Sequence, residues 1–333
     1  MHGPTSVVAS RPMLDLALYD RVHISARPPA QWLIAECFLR FDYRKVDLVL
    51  EGIENLPNRP VIFAMNHTDN YNYWPFQYSL HKHGTYMATW VKGKNYESPA
   101  VSTFMRWTNN IPIASRGYVI TRDFLNVMGR RPNPDEYRAL RDATDTLREV
   151  DPADVPQAVL TESRDMLGYR FEPETERYVD AIDSVMNKLM GRFVELNERA
   201  HALGSHLLVF PEGTRSVHLS RGHIGLAQMA LHLNAPIVPV GCSGSDLVYT
   251  SRSVITKPGR IVYRIGEPMS DWSDLAPREP FVPFTREAEA KHREAFQGIV
   301  DRVMDRINDL VDERHKAKAD RASDGSRGTD RFM

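Results

Sequence analysis

The chain has 333 residues, of which 42% are hydrophobic and 26% are charged, and its formal net charge is −1. This length allows one large or two small domains with a sizeable core. The near-zero charge excludes a general attraction to nucleic acid or to an anionic membrane, so any basic site must be local. The two cysteines, Cys37 and Cys242, are too few and too far apart in sequence for a disulfide framework and suit a reducing compartment.

The N-terminal segment, residues 1–45, lacks the features of a signal peptide, and no apolar run in the chain reaches the ~18 residues of a spanning helix. We therefore expect a cytoplasmic protein whose contact with membrane is peripheral. Residues 29–45 open with a double proline that favours a helix start. Bulky apolar side chains beside cations are typical of an interfacial helix, but also of a helix that packs on its own domain. These side chains are Trp32, Leu33, Phe38, Leu39 and Phe41, with Arg40, Arg44 and Lys45.

Short apolar runs separated by turn residues follow, within a domain that we place at 46–313. Val46, Leu48 and Leu50 predict a half-exposed strand, and the continuous apolar run in 60–67 predicts a buried one. Helical patterns lie between several of the runs, so the sequence predicts an α/β layer structure with functional residues where strands end. Four further runs predict strands, at 84–91, 206–210, 236–241 and 260–265.

The stretch from about 123 to 205 differs, because it is charged, rich in helical patterns and without a convincing strand. An apolar stripe from Tyr178 to Leu196 predicts a helix with one buried face, so this is a helical insertion rather than a linker. Residues 149–175 contain several prolines and acidic groups and are predicted to be irregular. A second stripe at 296–311 predicts another helix, and the polar tail 314–333 is predicted to be disordered.

Two polar segments follow predicted strands and carry residues suited to chemistry. His67 comes directly after the run that ends at Met65. A neutral imidazole can accept a proton from an alcohol, most effectively when a carboxylate holds its other nitrogen, although a histidine can also simply cap a loop. Arg116 follows the run Ile111–Ile113, and its guanidinium can bind a phosphate, although most arginines are merely solvated.

The third segment is the most specific, a Phe-Pro-Glu-Gly-Thr-Arg-Ser sequence at 210–216. The chain turns sharply here and brings backbone N–H groups, hydroxyls and one cation into a single loop, a plausible phosphate cradle. The fourth segment, Pro-Ile-Val-Pro-Val at 236–240, predicts an edge or terminal strand, because proline cannot donate to a sheet ladder.

In the order in which they occur, these four segments resemble the motifs of the PlsC-like glycerolipid acyltransferases, over roughly 46–117 and 205–268. The resemblance implies a mixed, largely parallel sheet flanked by helices, as in glycerol-3-phosphate acyltransferase. It implies transfer of a fatty acyl group from acyl-CoA or acyl-carrier protein to a lysophosphatidic acid-like or glycerol phosphate acceptor. His67 matches the catalytic base and Arg116 the phosphate-binding arginine. The acceptor-binding loop matches Glu212, Gly213, Thr214 and Arg215.

The sequence departs from the family pattern in three places. Asn72 stands where the family has the aspartate partner of the histidine, and in serine proteases the corresponding change costs ~10⁴ in rate. Asp69 is close enough in sequence to supply a carboxylate instead. Arg116 falls one residue later than usual, which changes its face on a strand unless a bulge absorbs the shift. The insertion at 123–205 is also unusually long, as lids and partner surfaces often are.

The sequence therefore predicts a peripheral enzyme on the cytoplasmic face of a membrane, with a lysophospholipid acceptor, no metal, no cofactor and no nucleic-acid partner. A lipid-binding relative without catalytic activity is the main alternative, because Asn72 cannot offset an imidazolium charge. A hydrolase that uses Cys242, Ser243 or Ser245 is a second alternative, but that stretch does not form the G-x-S-x-G elbow.

Overall fold

The computed structural model describes residues 14–250 and 253–322. Contacts within the chain divide these residues into two compact units. The smaller unit comprises Val91–Phe193 with residues 14–23, and the larger comprises Ile24–Trp90 with residues 194–322. The predicted insertion, 123–205, thus overlaps the smaller unit, which begins before residue 123 and ends before residue 205.

Nine strands and twelve α-helices are present among the described residues. The strands are β1 (Val46–Glu51), β2 (Ile62–Met65), β3 (Met87–Lys92), β4 (Asn110–Ile113), β5 (Arg164–Met166), β6 (Tyr169–Phe171), β7 (His206–Val209), β8 (Ile237–Ser243) and β9 (Gly259–Ile265). The helices are α1 (Leu16–Tyr19), α2 (Pro29–Ile34), α3 (Arg40–Asp42), α4 (Tyr73–His81), α5 (Pro99–Trp107), α6 (Arg116–Met128), α7 (Pro134–Thr146), α8 (Gln157–Thr161), α9 (Tyr178–Ala202), α10 (Gly225–Leu233), α11 (Ser245–Val248) and α12 (Arg286–Leu310).

Seven of the strands form one mixed sheet with the order β1-β9-β8-β2-β7-β3-β4. Strands β2, β7 and β8 are parallel to one another where they pair, as are β3 with β7 and β1 with β9, whereas β8 and β9 are antiparallel. Strand β2 is fully buried, as its continuous apolar sequence predicts for a strand covered on both faces. The predicted fold class, an α/β protein with a largely parallel mixed sheet, is confirmed.

The predicted edge position of β8 is wrong, because β8 lies between β9 and β2. On the β9 side, Ile237 N–H donates to the carbonyl of Met269, and Gly266 N–H donates to the carbonyl of Pro239. The regular ladder with β9 begins one residue later, at Val240. The nitrogen of Pro239 therefore lies between the hydrogen bond to Met269 and the start of the ladder with β9. No hydrogen bond is expected at this point, so the interior strand loses nothing because proline has no N–H donor.

The smaller unit contains a β-hairpin, β5 and β6, in the stretch predicted to be irregular. Leu167 and Gly168 form its two-residue turn, with φ of 53° and 91°, and positive φ at both positions is typical of a type I′ hairpin turn. Strands of three residues are too short to show alternation, which explains why the sequence analysis missed them. Helix α7 begins with Asn133, whose side chain accepts hydrogen bonds from Asp135 and Glu136 N–H in a capping box.

Both apolar stripes form the long helices predicted for them, α9 and α12. The predicted disordered tail differs from the structure in residues 314–322. His315 is buried within a 3₁₀ turn, Glu313–His315, and Arg221 N–H donates to the carbonyl of Arg321. Hydrogen bonds of His315 with Val217 and Leu219 hold this turn despite the polar composition that led to the prediction. Residues 323–333 lie outside the described part of the chain.

Residues 29–45 form a helical segment of changing pitch, in which α2 continues through a π-helical turn at Ala35–Leu39 into α3. One face of the segment is buried, and the buried residues are spaced four apart, which places them on the same side. Large apolar residues on the other side are exposed. The buried members are Gln31, Ala35, Leu39 and Tyr43. Among the described residues, no helix has the length and apolar character needed to cross a membrane.

Candidate active site

The candidate site lies at the carboxyl ends of β2 and β7, two neighbouring parallel strands. His67 follows β2 after one residue, and the loop that begins at Phe210 follows β7 directly. Carboxyl ends of parallel strands meet at one edge of a sheet, where α/β proteins hold their ligands. The structure therefore brings together the first and third polar segments that the sequence analysis singled out.

The imidazole of His67 is oriented by Asn72. Its Nδ1 lies 3.1 Å from Asn72 Oδ1, and the Asn72 amide is itself oriented by Nδ2, which donates to the carbonyl of Asn66 at 2.8 Å. Since an amide oxygen only accepts, Nδ1 is the donor of this pair, and in the neutral imidazole Nε2 then carries the lone pair. Asn72 is fully buried, and Tyr263 Oη donates to its carbonyl at 2.6 Å. This arrangement supplies the tautomer that a general base requires.

Asn66 ties the start of this loop to strand β8. Its Nδ2 donates to the carbonyl of Cys242 at 2.9 Å, and its Oδ1 accepts from Cys242 N–H at 2.7 Å. A side-chain amide that makes both bonds to one residue of an interior strand continues the ladder beyond the end of β2. The His67 loop therefore starts from a fixed position rather than from a frayed strand end.

Both backbone polar groups of His67 are bound by the loop after β7. His67 N–H donates to Glu212 Oε1 at 2.9 Å, and Ser216 N–H donates to the carbonyl of His67 at 2.8 Å. The ring stacks on Phe210, with centroids 4.1 Å apart and an interplanar angle of 19°. The histidine and the Glu-Gly-Thr-Arg loop are therefore one hydrogen-bonded assembly.

Glu212 is a buried carboxylate whose oxygens are used inside the chain. Oε1 accepts from His67 N–H, and Oε2 accepts from both N–H and Oγ–H of Ser220, at 2.9 and 2.8 Å. Burial raises the pKa of Glu212 to about 7, and the three hydrogen bonds oppose that rise. The carboxylate is placed to brace the loop against His67.

The turn at Gly213 requires glycine. Its φ is 63°, and a Cβ there would lie 2.9 Å from the His223 ring, so a side chain is disfavoured by conformation and by space. Gly213 N–H donates to the carbonyl of Phe210, which closes the turn. Thr214 is buried beyond it and Arg215 is exposed. Within residues 14–250 and 253–322, the Arg215 guanidinium has no ion pair or hydrogen bond, so an exposed cation without a partner follows this turn two residues after Gly213.

Asp69 has a different set of partners. Its Oδ1 accepts from Tyr71 N–H at 2.8 Å and its Oδ2 from Thr68 Oγ at 2.9 Å. Burial raises the pKa of this carboxyl, although these hydrogen bonds oppose the rise. Asp69 thus organises the loop between His67 and Asn72, while the amide of Asn72 occupies the position next to Nδ1.

Arg116 lies in the smaller unit, and we describe it there by itself. Strand β4 ends at Ile113, and Arg116 is the first residue of α6, after Ser115, whose Oγ accepts from Tyr118 N–H as the N-cap. The argument from alternating strand faces therefore does not apply to Arg116. Its guanidinium pairs with Asp145 at 2.7 Å and lies 3.8 Å from Asp183.

Three residues with clear roles in the site were not identified from sequence. Phe210 stacks on the imidazole, Asn66 anchors its loop, and Ser220 completes the environment of Glu212. Asn66 directly precedes His67, and Phe210 is the first residue of the 210–216 motif, so their position was the available signal. Ser220 lies four residues beyond the recognisable motif, and nothing in its sequence context marks it.

The turn near the C-terminus packs on the segment that follows this loop. His315 Nδ1 lies 2.8 Å from the carbonyl of Val217, and Leu219 N–H donates to the carbonyl of His315 at 2.9 Å. Asp312 N–H also donates to Ser243 Oγ at the end of β8, at 3.0 Å. Residues 217–220, which include the partner of Glu212, are thus held from outside by the end of the described chain.

The fold and the site together define an α/β protein with a histidine-centred site at the carboxyl edge of its parallel strands. No family model and no curated protein matches this chain. A crystal structure of the 1-acyl-sn-glycerophosphate (LPA) acyltransferase PlsC from Thermotoga maritima is similar, with 17% sequence identity, 87% of each chain covered and a TM-score of 0.39. Similarity at this level does not assign an activity, which has to be argued from the site.

Proposed function

We propose that this chain transfers a fatty acyl group from an acyl thioester to a hydroxyl of a phosphate-bearing glycerol acceptor, with His67 as general base. The observation that carries the proposal is the assembly of an oriented imidazole with a turn that presents a cation. The His67 Nδ1–Asn72 Oδ1 contact of 3.1 Å and the two backbone bonds of His67 to the 212–216 loop form this assembly. The four motifs and their order in the sequence support the same activity.

In this reaction Nε2 of His67 takes the proton of the acceptor hydroxyl as its oxygen attacks the thioester carbonyl. A C–O bond forms, and the tetrahedral intermediate collapses with cleavage of the C–S bond. The imidazolium then returns the proton to the departing thiolate. Residues that orient reactants in this way supply a large share of a rate enhancement.

Asn72 determines the electrostatics of this cycle. Its amide holds the tautomer that makes Nε2 the base, but it carries no negative charge to stabilise the imidazolium. A thiolate is a far better leaving group than an amine or alkoxide, so the demand on the imidazolium as an acid is smaller than in amide hydrolysis. A histidine–asparagine pair is therefore adequate for acyl transfer from a thioester.

The acceptor phosphate is assigned to Arg215, with the Gly213–Thr214 turn beside it. A guanidinium binds phosphate through paired charge-assisted hydrogen bonds. Glu212 is assigned a supporting role, because its oxygens are bound to His67 and Ser220. Arg116 remains the proposed second phosphate ligand from the motif, and its pairing with Asp145 makes it the weaker assignment.

The proposed partners are acyl-CoA or acyl-carrier protein as donor and a lysophospholipid as acceptor, at the cytoplasmic face of a membrane. The acyl-transfer reaction proposed here uses no metal or cofactor. The exposed apolar side of the 29–45 segment supports a peripheral position on the lipid surface.

A lipid-binding relative without catalysis is the second candidate, and the uncharged Asn72 favours it. The hydrolase alternative is less well supported by the geometry. Cys242 is fully buried and its burial raises the pKa of the thiol, whereas a nucleophilic cysteine needs an accessible thiolate. Ser243 is also buried, and its Oγ accepts from Asp312 N–H.

The test is thiol release from acyl-CoA in the presence of lysophosphatidic acid, for wild type, His67→Ala and His83→Ala. His83 is an exposed histidine beyond α4 and serves as the matched control. We expect His67→Ala to lower kcat by about 10²- to 10⁴-fold, the usual contribution of a general base, and His83→Ala to behave as wild type. Acceptor-dependent release that survives in His67→Ala would remove this histidine from the mechanism. Acceptor binding without release in wild type would favour the lipid-binding candidate.

A further inference from the structure

Two segments far apart in sequence meet on one face of the larger unit. Asp42, at the end of α3, accepts two hydrogen bonds from Thr256. Thr256 N–H donates to Asp42 Oδ2 at 3.0 Å, and the Thr256 hydroxyl donates to the Asp42 carbonyl at 3.3 Å. The loop 253–257 is therefore fastened to the 29–45 segment, and residues next to the two anchors are neighbours on the surface.

Those neighbours are large apolar residues open to solvent. Phe41 precedes one anchor and is 56% exposed, and Ile255 precedes the other and is 58% exposed. Trp32 and Leu33 on the same helical segment are more than half exposed, and Val254 extends the apolar surface along the loop. We name this set of five residues the Phe41–Ile255 surface. Large apolar residues exposed on two segments that are hydrogen-bonded to each other are typical of an interaction site.

The charges around the Phe41–Ile255 surface are predominantly positive. The segments 27–47 and 253–260 carry six basic side chains against three acidic ones, although the whole chain has a net charge of −1. Arg44 lies over the Phe41 ring, 4.7 Å from its centroid. Arg44 and Lys257 are exposed and have no ion pair within residues 14–250 and 253–322. This charge complements the anionic headgroups of a lipid surface.

A run of aromatic contacts joins this surface to the candidate active site. Tyr43, on the buried face of the helical segment, shares a 2.7 Å hydrogen bond with Tyr249 through their hydroxyls. Tyr249 in turn lies against Tyr71, with ring centroids 5.3 Å apart. Tyr71 belongs to the loop that carries His67 and Asn72, so the surface and the catalytic loop are supported by the same packed rings.

We propose that the Phe41–Ile255 surface docks on an anionic lipid bilayer, with the loop 253–257 as a second membrane contact beside the N-terminal helical segment. Apolar side chains enter the headgroup boundary, while Arg44 and Lys257 meet the negative charge of the lipids. The proposal rests on the proposed function in one respect: docking on the bilayer would bring the enzyme to its lipid acceptor. The loop contact is a prediction that the helical segment alone does not make.

The experiment is sedimentation of the full chain with vesicles of phosphatidylglycerol and phosphatidylcholine, compared with vesicles of phosphatidylcholine alone. We expect Ile255→Asp to bind the mixed vesicles at least about tenfold more weakly, since this exposed isoleucine can then no longer transfer its side chain from water into the bilayer. Lys257→Glu changes only a charge on an exposed residue and should weaken binding about fivefold or more on anionic vesicles alone. Val282→Asp, at an exposed valine before α12, is the matched control and should bind as wild type.

Several results would overturn this proposal. One is unchanged vesicle binding by both Ile255→Asp and Lys257→Glu, and another is an equal loss in Val282→Asp. A third is a wild-type chain that does not bind vesicles but is a dimer, together with an Ile255→Asp chain that is a monomer. The surface would then be a protein interface. Failure of the enzymatic proposal looks different, since vesicle binding would persist while thiol release with a submicellar short-chain acceptor is absent in wild type.

Discussion

Arg215 and Arg116 both follow a strand and both match a phosphate-binding motif, but their surroundings differ. Arg215 is exposed two residues after the turn at Gly213 and has no carboxylate partner within the described residues. Arg116 begins a helix in the other unit and is paired with Asp145 and Asp183. A guanidinium held by carboxylates must break those pairs before it can bind another anion. Motif position thus identifies a candidate cation, and the neighbouring charges decide whether it is available.

The largest effect expected from this comparison separates the two arginines. Arg215→Ala should raise the KM for a phosphate-bearing acceptor by about 10- to 100-fold, the range expected for loss of charge-assisted hydrogen bonds. Arg116→Ala should lower Tm, because Asp145 and Asp183 each lose one cationic partner, and it should raise KM far less than Arg215→Ala does. Steady-state kinetics with varied acceptor and a thermal melt measure both. The reverse pattern, with KM changed only by Arg116→Ala, would transfer the phosphate site to the smaller unit.

A smaller effect tests the histidine partner. In Asn72→Asp, one carboxylate oxygen would replace the Nδ2 that donates to the carbonyl of Asn66 at 2.8 Å. Two acceptors would then face each other at a fully buried position, which costs about 2 kcal/mol in the free energy of unfolding. The new charge should also raise the pKa of His67 and move the acidic limb of the kcat/KM profile upward. Urea unfolding and a pH–rate profile would measure these effects.

Asn72→Ser, which keeps a short polar side chain without the charge, is a suitable control for that variant. It should lose stability without moving the acidic limb upward. A fully stable Asn72→Asp chain would contradict the described orientation of the amide.

The smallest effect concerns the brace at Glu212. Because its pKa is raised from 4.5 to about 7 in the folded state, the folded chain holds this proton more tightly than the unfolded chain does. The stability contribution is therefore complete below about pH 4.5 and is lost as pH rises through 7. Between pH 6 and pH 8, wild type should lose about 1 kcal/mol of unfolding free energy relative to Glu212→Gln. Urea unfolding of both chains at the two pH values measures the difference, and a difference independent of pH would exclude a titration near neutrality.

Much of the fold was predictable because long patterns determine it. Buried strands such as β2 and long amphipathic helices such as α12 carry a periodic signal over many residues. The β5–β6 hairpin carries no such signal. The prolines of β8 do not reveal its interior position either, because that position depends on where its hydrogen-bond ladder with β9 begins. Tertiary pairing decides such features.

The candidate site was predictable to a similar extent. His67 and the glycine turn stand at strand ends, where the sequence marks them. The use of the Glu212 carboxylate as a brace was not predictable, because a glutamate in a loop gives no sign of whether it faces a ligand or a backbone amide. Ser220 was missed for the same reason, since its role depends on a contact formed only in the folded chain.

The contacts between the turn at His315 and residues 217–219 bear on how the protein is made. Domains form progressively as a chain leaves the ribosome, beginning with the N-terminal part. His67 is translated before the segment that contains the serine partner of Glu212, and that segment is secured only after residue 315 has been translated. A nascent polypeptide therefore carries its imidazole until the residues up to 315 have followed, and only then are the surrounding loops closed.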